Sequence, residues 1–214
     1  MATIVPCVTV STPEDYKTSL GRVHTFTKRV HIDFSDGTFA PNQTILANQI
    51  WWPNDWQTDI HAMVADPAQH VDSFIALHPH LIIFHVEVRT DLMPVLQKIK
   101  AAGIKAGIAL MRPTVPADVS ELIGAADHVM IFSGDLGKYG GKASMMQLEK
   151  IRLIKNINAA VEIGWDGGIN LENSFSLMQG GVDVFYVGGA IQTAPDPEAA
   201  YAALVKEVAK QGAM

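Results

Sequence analysis

His31, Asp33, His61 and Asp166 are the residues whose types and placing could do chemistry. His31 and Asp33 lie in the stretch HIDFSDG at 31–37, His61 in DIHAMV at 59–64, and Asp166 opens Asp166-Gly167-Gly168. Each stands where an apolar, strand-like run meets a polar loop. His31 and Asp33 are two apart, so on a strand they share one face. Two imidazoles and two carboxylates meeting at one mouth would suit a divalent ion, with zinc, manganese, iron and cobalt all compatible. The carboxylates would also be placed to move a proton. Taken singly, an inward histidine is a hydrogen-bonded core residue and a strand-end aspartate caps a turn. Repetition of the pattern at the ends of several runs favours a shared site. His78, His80, His85 and His128 are read as ordinary histidines of strand edges and loops.

A second set consists of glycines. Gly140-Gly141, Gly167-Gly168 and Gly188-Gly189 follow three successive strand-like runs. Glycine lets backbone N–H groups approach an anion, and the last loops of α/β barrels often build a phosphate site with a short helix N-terminus. One Gly-Gly pair is only a turn; three in series predict a phosphate.

The elements that must position these residues alternate. Strands are expected at 3–10, 29–33, 58–64, 81–86, 105–110, 128–132, 160–165 and 182–187. Helices are expected after Thr12-Pro13 and at 66–77, 92–102, 116–125, 145–155, 171–179 and 197–210. A long polar loop is expected at 36–44 and a glycine-rich loop at 133–142. Eight strand–helix units in 214 residues predict one domain over 1–214, a single (β/α)8 TIM barrel. An open doubly wound sheet would carry a glycine fingerprint after its first strand, where this chain has Ser11-Thr12-Pro13.

The composition agrees. Apolar residues make up 48% and charged residues only 18%, as a fully buried parallel sheet requires. The net charge of −6 and the lack of Lys/Arg runs argue against nucleic acid and anionic membrane as partners. No run reaches the length of a membrane span, and the first residues lack a signal-peptide pattern. The single Cys7 excludes an internal disulfide, so a reducing, cytoplasmic setting is expected. Trp51, Trp52 and Trp56 are read as packing under the barrel or as a subunit contact, which makes a homo-oligomer plausible. Lys138 is read as a solvated loop charge.

The stretches HIDFSDGTFAPN at 31–42, DIHAMV at 59–64, FHVE at 84–87, YGG at 139–141, DGGIN at 166–170 and GGAI at 188–191 occur in an order that resembles the ribulose-phosphate 3-epimerases. The first stretch is the most particular to that family. The resemblance implies a TIM barrel of the ribulose-phosphate-binding type and a catalytic metal held by His31, Asp33, His61 and Asp166, with Asp33 and Asp166 as acid–base partners. It also implies a phosphorylated ketose as substrate, contacted by Cys7, Met63, Gly140, Gly141, Gly167, Gly168, Gly188 and Gly189. The simplest activity is interconversion of D-ribulose 5-phosphate and D-xylulose 5-phosphate. A related hexulose 6-phosphate substrate and a non-catalytic phosphate-binding barrel are the alternatives. A decarboxylase of a related barrel would need an Asp-x-Lys-x-x-Asp pattern, and no such lysine lies near His61.

Some positions depart from the family. Cys7 stands in place of a serine, and Gly189 in place of another serine beside the phosphate. Ser35 and Phe132 occupy two of three positions where methionine is usual; Met63 keeps the third. Arg112 stands where Asn is more common, and the loop at 133–142 lacks the Asn-Pro-Gly-Phe pattern. The proton-transfer set is therefore complete, while the substrate-contact shell is altered.

Overall fold

The computed structural model describes residues 2–136 and 141–210. Eight parallel strands close into a barrel: β1 (Thr3–Val8), β2 (Arg29–Ser35), β3 (Gln57–Met63), β4 (Leu81–His85), β5 (Lys105–Leu110), β6 (His128–Phe132), β7 (Glu162–Asp166) and β8 (Val184–Val187). β8 pairs with β1 through Val5 opposite Tyr186, which completes the ring. Helices cover the outside: α1 (Pro13–Val23), α2 (Pro67–Ile75), α3 (Leu92–Ala101), α4 (Ser120–Ala125), α5 (Glu149–Ile157), α6 (Ser174–Gln179), α7 (Gly189–Gln192) and α8 (Pro197–Val208). The expected (β/α)8 architecture is the observed one, with strand ends shifted by up to two residues.

Local chemistry explains the helix starts. Thr12, Asp66, Asp91 and Asp196 each accept a backbone N–H of the first turn. Proline follows at the first helical position in three of them, where its missing N–H costs nothing. Such a cap contributes about 1 kcal/mol. The strands are buried almost throughout because each has helices on one side and the barrel interior on the other.

Two packing regions result. The larger lies between strands and helices and includes Phe34, Phe74, Phe84, Trp165 and Phe185. The smaller fills the barrel and contains Val5, Cys7, Leu81, Ile83, Ala109, Met130, Phe132, Val184 and Tyr186. Strand register continues these inward positions. His31 lies opposite Asp59, and Asp33 opposite His61, on β2 and β3. Phe132 lies opposite Asp166, and Asp166 opposite Tyr186, on β6 to β8.

The barrel interior is polar at its lower end. Asp59 receives the Arg29 guanidinium at 2.8 Å and the Tyr186 hydroxyl at 3.2 Å. His128 Nδ1 meets Glu162 at 2.8 Å, and its Nε2 lies 3.2 Å from the Tyr186 oxygen. Gly164 makes this possible: a Cβ there would lie 2.4 Å from His128 Nε2 and 2.8 Å from the Tyr186 ring. His128 is thus part of an interior network rather than an edge histidine.

The tryptophans divide. Trp56, just ahead of β3, is buried, and Trp52 packs against the same core. Trp51 is half exposed and meets Tyr16 edge-on at 6.1 Å. Among the described residues, no helix is long and apolar enough to cross a membrane.

Candidate active site

The C-terminal ends of β2, β3 and β7 bring His31, Asp33, His61 and Asp166 together. One ligand atom from each lies within 4.8 Å of every other. His31 Nε2 is 3.2 Å from Asp33 Oδ1. His61 Nδ1 is 2.9 Å from the same oxygen and 3.7 Å from Asp166 Oδ2. Both imidazoles are fully buried. The second Asp33 oxygen accepts the hydroxyl of Thr9. Thr9 follows Cys7 by two residues, so the alternation that carries β1's inward face reaches it; the sequence reading did not single it out.

The charges here are crowded. Burial pushes the Asp166 carboxyl well above the usual range, and the neighbouring Asp33 charge pushes it further. Asp33 is itself raised by burial, but the His31 and His61 imidazoles beside it outweigh that and hold it well below the usual range. Burial lowers His61 to about 4, against the pull of Asp33. The result is two carboxyls, Asp33 buried and Asp166 half-buried, competing for positive charge, with two imidazoles aimed at the same point. A divalent ion fits this donor set: it satisfies all four groups and relieves the repulsion between the carboxylates. The four side chains could therefore hold a metal.

A cavity of about 450 Å³ opens over this cluster. Asp33 and Asp166 line it, together with Cys7, Thr9, Met63, Phe132 and Tyr186. Gly141, Gly167, Gly168, Gly188 and Gly189 line it as well; Gly140 and Lys138 lie outside the described residues. Burial pushes the Cys7 thiol up, and the charges of Asp166, Asp33 and Asp59 add to this, so Cys7 faces the cavity as a neutral thiol. Ser35 is buried, and its hydroxyl accepts the Gly37 N–H at 3.2 Å.

Glycine is required by close approach of backbone. Gly167 has φ +104°, and a Cβ there would sit 2.0 Å from the Gly134 nitrogen. Gly168 has φ +72°, and its Cβ would sit 2.1 Å from the Ala143 nitrogen. The loops after β6 and β7 therefore touch main chain to main chain. Arg112 ties the first of them down through Gly134 O at 2.8 Å and Asp135 at 2.7 Å.

Two residues bear on the site in ways the sequence reading missed. His85 Nε2 lies 2.8 Å from His61 Nε2, so it is not an incidental strand-edge histidine. Its spacing to Glu87 repeats that of His31 to Asp33, which was the available signal. Tyr186 forms part of the cavity wall and packs at a tilt against His31, with ring centroids 4.1 Å apart. No local motif announces it, because its partners His31, Asp59 and His128 come from three other strands.

The comparisons with known proteins agree with this geometry. Residues 3–192 match the Ribulose-phosphate 3 epimerase family. A curated ribulose-phosphate 3-epimerase of Helicobacter pylori is 33% identical over 174 residues, covering 78% of this chain and 80% of its own length. That of Mycobacterium leprae is 31% identical over 183 residues, covering 82% and 81%. Among solved structures, 3-hexulose-6-phosphate synthase from Salmonella typhimurium superposes with a TM-score of 0.73 over 96% of this chain and 98% of its own. Its 17% identity shows a shared fold alone. A match along nearly the whole barrel and two relatives above 30% identity place the chain plainly: it belongs to the ribulose-phosphate 3-epimerase family of isomerases.

Proposed function

We propose that the chain is a metal-dependent epimerase that inverts C3 of a ketopentose phosphate, interconverting D-ribulose 5-phosphate and D-xylulose 5-phosphate. The observation that carries this reading is the pair Asp33 and Asp166, both lining one cavity and sharing it with two buried imidazoles. A hydrogen on C3, beside a ketone, is a very weak acid. One aspartate takes that proton, leaving an enediolate; the other returns a proton to the opposite face and inverts the centre. Each partner of this kind contributes about 10²–10⁴ in rate. Thr9, donating to Asp33, holds that carboxylate in one orientation. His31, Asp33, His61 and Asp166 would hold the divalent ion, whose charge stabilises the oxygen anion of the enediolate by roughly several kcal/mol.

The backbone at Gly141, Gly167, Gly168, Gly188 and Gly189 supports a phosphate contact, since these residues line the cavity and carry no side chain of their own to hold an anion off. Cys7, Met63 and Phe132 would bound the sugar. Proton-exchange NMR on D-ribulose 5-phosphate in heavy water tests the reading. Deuterium entering at C3, with D-xylulose 5-phosphate appearing, is the expected result. No exchange on the pentulose, with exchange on a hexulose 6-phosphate under the same conditions, would overturn the substrate. Binding of both without exchange would overturn the epimerase reading.

A further inference from the structure

The four-residue cluster does not end at His61. His61 Nε2, on the side away from Asp33, lies 2.8 Å from His85 Nε2. His85 Nδ1 lies 3.3 Å from Glu87 Oε2. The other Glu87 oxygen accepts the Met111 N–H at 2.8 Å and the hydroxyl of Thr114. His85 is fully buried, its ring between Phe39 at 4.8 Å and Phe132 at 5.4 Å. This chain of contacts has a direction, because one end of it can only accept.

We propose that His85 and Glu87 are positioning residues that fix His61 as its Nε2–H tautomer and so aim a bare Nδ1 at Asp33 and Asp166. Glu87 takes one N–H and one O–H on a single oxygen, and its hydrogen bonds outweigh burial and hold the carboxyl below its usual range, so it is a carboxylate and donates nothing. His85 Nδ1 must then carry hydrogen. A neutral imidazole carries only one, so His85 Nε2 is an acceptor. His61 Nε2 must donate to it, and a neutral His61 is left with a lone pair on Nδ1. That lone pair faces Asp33 Oδ1 at 2.9 Å, an acceptor against an acceptor. Such a contact is repulsive by itself and becomes favourable with a cation between the two. Orientation of a ligating histidine through its second nitrogen is a general device, and loss of such a partner costs about 10–100-fold in metal affinity. The ligand role rests on the metal-dependent reading above; the tautomer does not.

The opposite arrangement is a His85 imidazolium that donates from both nitrogens. His61 Nε2 would then accept, and its Nδ1–H would donate to Asp33. Long-range ¹H–¹⁵N correlation spectra of the full chain, ¹⁵N-labelled at histidine and freed of metal by a chelator, separate the two. Zn²⁺ titration of the same samples gives the affinity. The expected result is hydrogen on His61 Nε2 and none on Nδ1. In Glu87→Gln the amide oxygen keeps the Met111 and Thr114 donors, so its NH₂ turns to His85 Nδ1. Both imidazoles should then reverse tautomer, and Zn²⁺ affinity should fall about 10–100-fold. Hydrogen on His61 Nδ1 in the unaltered chain overturns the proposal. So does a Glu87→Gln protein with unchanged tautomer and affinity. Should that variant not fold, the tautomer of the unaltered chain decides alone. None of these readouts depends on turnover, so failure of the epimerase reading leaves the test intact.

Discussion

The ring of Tyr186 lies 4.1 Å from His31 while its hydroxyl reaches the other way, 3.2 Å from both Asp59 and His128. One side chain thus joins the cavity to the charged lower end of the barrel. The hydroxyl anchors the ring, and the ring limits where His31 can sit. Tyr186→Phe keeps the ring and leaves two buried partners short of a hydrogen bond, so unfolding in urea should show a loss of about 1–3 kcal/mol with catalysis little changed. Tyr186→Ala empties the space under His31. A stability loss of about 3–5 kcal/mol is expected, with metal affinity falling as well.

Asp33→Asn and Asp166→Asn each remove one proton carrier while keeping the shape of the site. Each should lower the epimerisation rate by at least about 10²-fold, measured by coupled assay for the xylulose product. Full activity in both variants would sink the two-aspartate mechanism.

Chelation should abolish turnover, and one of Zn²⁺, Mn²⁺, Fe²⁺ or Co²⁺ should restore it. The same ion should raise the unfolding temperature, because it binds only the folded arrangement of four donors from three strands. At a thousandfold excess over Kd the gain is about 4 kcal/mol. A chelated protein with unchanged rate and unchanged melting would refute this.

Glu162 supplies a pH dependence away from the reaction. Burial alone would raise its carboxyl; the His128 hydrogen bond and the charges of His128 and Arg29 outweigh it and bring it to about 2. A carboxyl lowered on folding stabilises the protein above its ordinary value of 4.5, and that stabilisation is lost as pH falls toward about 2. The group is partly exposed, so roughly 1–3 kcal/mol is the expected size. Glu162→Gln should be less stable than the unaltered chain at pH 7, with the gap closing between about pH 5 and 2 in denaturant titrations.

Alternating apolar runs and caps made the barrel readable, since each βα unit is written in contiguous residues. Thr12-Pro13 and Asp66-Pro67 marked helix starts that the structure keeps. β1 stops at Val8 because the chain then turns to receive the loop after β2, with Ile45 N–H bonding Val10 O at 3.1 Å. That contact joins residues far apart in sequence and leaves no local mark. The short helix α7, opening at Gly189, was likewise hidden under a glycine pair. The four clustered residues were legible because each is a polar side chain at an inward position of an otherwise apolar strand. His85 met that same rule, yet its partner His61 is visible only once β3 and β4 are paired. Tyr186 was least legible of all, as its importance comes from Gly164, which lets His128 reach it.

The loops after β6 and β7 meet through Gly134, Gly167, Gly168 and Ala143, backbone against backbone. A surface made of main chain has almost no vocabulary for change: nearly any substitution at Gly167 or Gly168 pushes the loops apart. Adaptation toward a longer or shorter sugar would have to be written elsewhere, in Cys7, Thr9, Met63, Phe132 and Tyr186. The barrel thus separates a part that natural variation can edit from a part that it can only keep or break.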